Sequence, residues 1–109
     1  MKIVIVGAGE VGYHIASRLA VENKDVVVVD RNPEALRRVS DSLDVQAVEG
    51  SGGSPLILEQ AGIREADILL AVTDSDETNL LACLMADVIS RSTKKLIRLR
   101  DADYDRYHD

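Results

Sequence analysis

Three glycines and one carboxylate carry the first chemical signal. "GAGEVG" sets Gly7, Gly9 and Gly12 in a G-x-G-x-x-G pattern, which alone is weak. Its context strengthens it. The apolar run "KIVIV" (2–6) leads into the glycines, a helical pattern leaves them, and Asp30 closes the next apolar run about twenty residues on. In such a turn Gly7 permits the tight reversal, Gly9 lets backbone approach a pyrophosphate, and Gly12 lets the helix pack close to the strand. The helix start offers unpaired N–H groups and a partial positive charge to phosphates. Asp30 can accept hydrogen bonds from ribose hydroxyls and repels a 2′-phosphate, so NAD(H) is favoured over its phosphorylated form. Glu10 is read as a carboxylate stabilised by the helix start and turned to solvent; its charge penalises a triphosphate more than a diphosphate. Arg31 either lies over the adenine and its ribose or is a solvated arginine.

A second polar cluster, "TDSDETN" (73–79), falls between an apolar run ending at Val72 and one beginning at Leu80. Four chemistries compete for it. Asp74-x-Asp76 resembles a magnesium site, but such sites recruit substrate phosphates and a P-loop lysine, and the chain has no G-x-x-x-x-G-K-[ST]. As catalytic acids, the carboxylates have no plausible nucleophile or positioned base, since His14 lies in the first helix and His108 near the chain end. As a cap, Ser75 or Asp76 takes the first free N–H groups of the helix, with Glu77 and Asn79 extending its polar start. As a cleft wall, Thr73 and Asp74 offer backbone and hydroxyl groups to the nicotinamide-side ribose. The last two roles are compatible, and both are expected.

The elements that must hold these groups alternate regularly. "DVVVVD" (25–30) reads as a buried strand, and Asn32-Pro33 opens a helix carrying Leu36, Val39 and Leu43 inward. A third strand spans 45–50. A glycine-rich loop leads to a short helix from Pro55 through Leu56, Leu58 and Ala61, stopped by Gly62. A fourth strand (66–72), a helix from Leu80 to Ile89 and a fifth strand (95–99) complete the series. The first helix is expected to turn Val11, Ile15, Leu19 and Ala20 inward. This rhythm specifies an α/β fold: a Rossmann-like, doubly wound parallel sheet in three αβα layers. Such folds often continue to a sixth strand, and "DADYDRYHD" reads as the start of a further connection, so the domain at 1–109 is expected to be part of a longer chain.

Composition agrees with that class. The 109 residues suffice for one domain. With 46% hydrophobic residues and no Phe or Trp, the core is aliphatic, as parallel strands require. A net charge of −6 argues against nucleic acid as a partner. Cys83 stands alone, which excludes a disulfide framework, and is read as a small buried thiol. No apolar run is long enough to span a bilayer, so a soluble, cytoplasmic protein is expected.

"MKIVIVGAGEVG", "VVVVDRNPE", the long "VEGSGGSPLILEQAGIREADILLAVTDSDETNLLACLMA" and "LIRLRDADY" together resemble the N-terminal NAD-binding domain of the TrkA family. These are cytosolic regulatory subunits of bacterial Trk potassium uptake, in the class called RCK or KTN. The most specific piece is the fourth-strand segment, which ordinary dehydrogenases do not carry. The resemblance implies nucleotide contacts at Gly7, Ala8, Gly9, Glu10 and Val11, at Asp30, at Thr73 and Asp74, and at Arg98 on the fifth strand. Arg98 also has an independent rationale, because a cation at the end of a buried strand needs an anion; the alternative is an edge strand whose alternate residues simply point to water. The resemblance further implies a membrane potassium transporter subunit as partner, a place at the inner face of the membrane, self-assembly, and gating by nucleotide rather than catalysis. Two other readings stand beside it: the coenzyme half of an NAD-dependent dehydrogenase, and an ATP/ADP switch. Relatives that prefer ATP resemble one another in an arginine where this chain has Glu10, which weakens the triphosphate reading. Many relatives carry an acid where this chain has Ser51.

Overall fold

The computed structural model describes residues 1–101. The expected further connection and His108 lie in 102–109, outside the described residues. Five parallel strands, β1 (Lys2–Val6), β2 (Asp25–Asp30), β3 (Gln46–Glu49), β4 (Ile68–Ala71) and β5 (Lys94–Ile97), lie in the order β3-β2-β1-β4-β5. Four helices, α1 (Glu10–Val21), α2 (Pro33–Ser42), α3 (Pro55–Gln60) and α4 (Asp76–Ile89), make the crossovers, with a 3-10 turn at Ile63–Glu65. The order reverses at β1. The chain first winds outward through β2 and β3, then returns to place β4 on the other side of β1. Val6 is therefore in register with Val29 on one flank and Ala71 on the other, so the loops after β1, β2 and β4 open side by side.

Alternation along the central strands divides the core into two layers. Ile3, Ile5, Val26 and Val28 pack against Ala16, Leu36 and Val39, beneath α1 and α2. Val4, Val6, Val27 and Val29 pack against Leu58, Ile63, Ala82 and Ala86, beneath α3 and α4. Each aliphatic side chain removed from water contributes roughly 1.5–3 kcal/mol. Gly12 sets how closely α1 approaches, because a Cβ there would overlap the Gly7 carbonyl oxygen.

Side-chain caps fix three of the four helix starts. The Asn32 amide oxygen accepts from the N–H groups of Glu34 and Ala35 at 2.9 and 3.4 Å. The Ser54 hydroxyl takes the Ile57 N–H, and the Ser75 hydroxyl the Thr78 N–H. At the far end of α4, the Lys95 ammonium donates to the carbonyls of Ser90 and Arg91 and pairs with Asp87 at 2.8 Å. That contact holds the Asp87 carboxyl below its ordinary range.

Several expected positions shift. α4 begins at Asp76 rather than Leu80, because Ser75 caps it. β3 and β5 are edge strands and are not buried on both faces: Gln46, Ala47 and Leu96 are exposed. On α1 the fully buried positions are Gly12 and Ala16, with Ile15 and Leu19 packed against the core as expected, while Val11 lies exposed beside the glycine loop. On α3 only Leu58 points fully inward, and Leu56 is 67% exposed. On α4 the sheet-facing stripe is Asn79, Ala82 and Ala86; Leu80, Leu81, Leu84 and Val88 face outward, and Cys83 is half-buried. Small residues let α4 sit close to β4 and β5, which leaves its leucines outside.

Two stability measurements check this packing. Gly12→Ala should lower the unfolding free energy by roughly 2 kcal/mol or more, since the clash is with backbone; it reads as a lower urea midpoint at unchanged slope. On α3, Leu56→Gln should stay within about 0.5 kcal/mol of the parent, whereas Leu58→Ala should cost roughly 2–5 kcal/mol. Equal losses at the two positions would contradict the placement of α3.

Candidate functional site

The C-terminal ends of β1, β2, β4 and β5 enclose a cleft of about 520 Å³. Its floor is the glycine loop. Gly7 has φ +120°, a conformation that side chains strain, and a Cβ on it would lie a tight 3.1 Å from the Val72–Thr73 backbone. Gly9, by contrast, has no atom within 4 Å of its Cβ position: the surface above it is open. Gly9 also stands at the N-cap of α1 with no side chain capping the helix. The N–H groups of Glu10, Val11 and Gly12 precede the first intrahelical bond, from Tyr13 N to Gly9 O at 2.8 Å. The one uncapped α-helix start among the four thus borders the cleft.

Asp30 ends β2 on the neighbouring side. Its carboxylate accepts the Ala8 N–H at 2.7 Å through Oδ2 and the Asn32 N–H at 2.8 Å through Oδ1. It therefore clamps the β1–α1 turn to the β2–α2 turn. Each oxygen keeps a further lone pair for a hydroxyl donor. Asn32 and Ala35 line the cleft beside it. Neither was anticipated as a wall residue; Asn32 was legible only as a helix cap.

Across the cleft, Val72, Thr73, Asp74 and Arg98 form the opposite wall. Asp74 Oδ1 lies 3.7 Å from Arg98 Nη1 and 3.4 Å from Arg100 Nη1. Asp76 turns away and accepts the backbone N–H groups of Arg100 and Asp101, both at 2.8 Å. The two carboxylates thus serve different partners, which leaves no shared cage of the kind magnesium needs. Asp76 ties down the strand exit instead of capping α4. Among the described residues no group of three or more His, Cys, Asp or Glu side chains gathers as metal ligands would.

Thr73 differs from its expected role. Its N–H donates to Asn79 Oδ1 at 3.0 Å and its hydroxyl to the same atom at 2.7 Å or to the Ser75 carbonyl at 3.1 Å. Both of its donors are committed inside the protein. What it presents to the cleft is shape and acceptor capacity. Asn79, read from sequence as part of a polar helix start, is fully buried. The available signal was its spacing from Ala82 and Ala86, which places an amide on the core stripe of the helix.

The expected residues therefore divide three ways. Gly7, Gly9, Glu10, Val11, Asp30, Thr73, Asp74 and Arg98 line the cleft together. Ala8 is buried beneath the loop, contributing its N–H to Asp30, and Gly12 lies below, spacing α1 from β1. Arg31 borders an adjoining hollow of about 320 Å³ with Val6, Val29, Gly50 and Gly52, which shares Asp30, Thr73 and Asp74 with the main cleft. The main cleft holds the acids Glu10, Asp30 and Asp74 and the base Arg98. Positive potential for an anion comes from that arginine and from the α1 amides.

Comparison with known proteins matches this architecture. The sequence pattern of the TrkA-N domain matches residues 3–109. The Trk system potassium uptake protein TrkA of Halomonas elongata is 44% identical over 104 residues, which cover 95% of this chain and 23% of that protein. The TrkA homolog 1 of Methanosarcina mazei is 46% identical over 110 aligned residues, covering 95% of this chain and 26% of its own length. The chain thus spans about a quarter of the relatives it matches. Among solved structures, the TrkA-N domain of the Escherichia coli inner membrane protein ybaL superposes with a TM-score of 0.85 at 20% identity, covering 97% of this chain and 78% of that one. The GsuK channel bound to NAD superposes with a TM-score of 0.84 at 20% identity, covering 96% and 19%. These likenesses establish the same fold, and the sequence match extends through every element that builds the cleft. The chain belongs to the TrkA-N domain family.

Proposed function

We propose that this chain is the NAD(H)-binding N-terminal domain of a longer regulatory protein that controls a membrane potassium transporter. The observation that carries the reading is the uncapped start of α1, facing the Asp30 carboxylate across an open glycine surface. Gly7, Gly9 and the amides of Glu10 and Val11 would hold a pyrophosphate, with Asp30 on one ribose and Arg98 on the far side. Glu10 sets the ligand's charge: a triphosphate meets more repulsion there than a diphosphate. The two TrkA relatives named above are potassium uptake proteins, which supports a transporter as partner and a cytoplasmic position for the domain. No helix among the described residues is long and apolar enough to cross a membrane.

The domain acts by binding. Two conformations or assemblies with different affinities shift in population as nucleotide binds, and only that difference in affinity can drive the shift. The outward row Leu80, Leu81, Leu84 and Val88 on α4 is the surface we assign to self-association. The dehydrogenase reading is less favoured because the described residues lining the cleft include no His, Lys, Tyr or Cys.

Titration calorimetry with NADH, NAD⁺, ADP and ATP tests the proposal. NADH should bind more tightly than ATP, and Glu10→Gln should narrow that gap by raising ATP affinity. Asp30→Ala should weaken NADH on the order of tenfold to a hundredfold, the loss expected for hydrogen bonds to a charged group. Asp30→Asn, which removes the charge that repels a 2′-phosphate but keeps only one of the two clamp acceptors, should also raise NADPH affinity relative to NADH. A chain that binds none of these nucleotides, or one indifferent to Asp30, overturns the assignment.

A further inference from the structure

Asn79 lies outside the cleft yet touches both sides of its far wall. Its side chain is completely buried at the start of α4. The Oδ1 atom accepts from the Thr73 N–H at 3.0 Å and the Thr73 hydroxyl at 2.7 Å. The Nδ2 group donates to the Thr73 carbonyl at 3.1 Å and to the Arg98 carbonyl at 2.8 Å. Every donor and acceptor of the amide is used. Two donors converge on one end and two carbonyls on the other, so the orientation of the amide is fixed by its partners. One side chain thus joins the end of β4, the exit of β5 and the first turn of α4.

We propose that Asn79 is a positioning residue of the nucleotide site, holding Thr73 and Arg98 in the places from which they meet the second nucleoside of a dinucleotide. The inference rests on the nucleotide-binding reading above. The pyrophosphate position over Gly9 and the ribose partner Asp30 both lie on the β1–β2 side. A second nucleoside must then extend the other way, over Val72, Thr73 and Arg98. A mononucleotide such as AMP has no such half. Asn79 therefore acts on the dinucleotide and not on the mononucleotide, a distinction that general destabilisation would not produce. No other side chain can substitute, because the site needs two acceptor bonds and two donor bonds from one small planar group. Aspartate has the shape but turns a carboxylate oxygen toward two carbonyls. Alanine leaves the Thr73 and Arg98 backbone groups without their partner.

The experiment titrates the chain, Asn79→Asp and Asn79→Ala with NADH and with AMP, alongside thermal melts. Both variants should lose about tenfold or more in NADH affinity while AMP affinity stays within about twofold. An equal loss for the two ligands, or NADH binding unchanged in a folded variant, overturns the proposal. A measurement on the unsubstituted chain applies if neither variant folds. The Asn79 side-chain amide resonances should shift on saturation with NADH and stay in place with AMP; no shift with NADH overturns the inference. Unsubstituted protein that binds neither nucleotide defeats the function itself, a result distinct from any of these.

Discussion

The site depends on one carboxylate held between two backbone turns. Asp30 accepts the N–H of Ala8 from the glycine loop and the N–H of Asn32 from the next loop, at 2.7 and 2.8 Å. A glycine-rich turn has large conformational entropy to lose on folding. An ionised acceptor reaching two amides supplies two charge-assisted hydrogen bonds, each stronger than its neutral counterpart. The loop is therefore ordered by the same group that we propose meets a ribose. The α1 amides consequently remain where a phosphate would find them, without a side-chain cap to compete for them.

The topology makes that clamp possible. β1 and β2 are adjacent and in register from Lys2 to Val6 against Asp25 to Val29, so the residue after Val29 lies beside the turn after Val6. The reversal at β1 then brings the β4 loop to the opposite side. Only at this switch point do three loops converge on one surface. Gly7 accommodates the crowding from the β4 side, where a Cβ would lie a tight 3.1 Å from the Val72–Thr73 backbone.

Much of this was legible in the sequence because it depends on short-range chemistry. The G-x-G-x-x-G spacing, the valine run ending in Asp30 and the Asn32-Pro33 helix start specify local backbone states, and each took its expected place. Edge effects were less legible. Valine-rich runs signal burial, but whether a strand such as β3 stands at the rim depends on winding order. The facing of α4 was hidden for a related reason: apolar composition shows no direction, and the helix turned its alanines inward to pack closely. Asn79 and the donors of Thr73 were hidden because a polar cluster before a helix looks the same whether its members cap, coordinate or cross-brace. What distinguishes them is which partner each meets, and the partners Thr73 and Arg98 lie 6 and 19 residues from Asn79.

The far wall combines a rigid layer with a yielding one. The Asn79 bonds are buried, and breaking any of them strands a polar group at a cost of about 1–3 kcal/mol. The ion pair above them is different. Asp74 is 91% exposed and Arg98 34% exposed in their side chains, and they stand 3.7 Å apart. An exposed pair of this kind contributes at most about 1 kcal/mol. Arg98 can therefore exchange Asp74 for an incoming anion at little cost while its backbone stays anchored. Asp74 also keeps Arg100 as a second partner, so the exchange does not strand its charge. The surface ion pair is thus weakly held over a layer fixed by four hydrogen bonds to one buried amide.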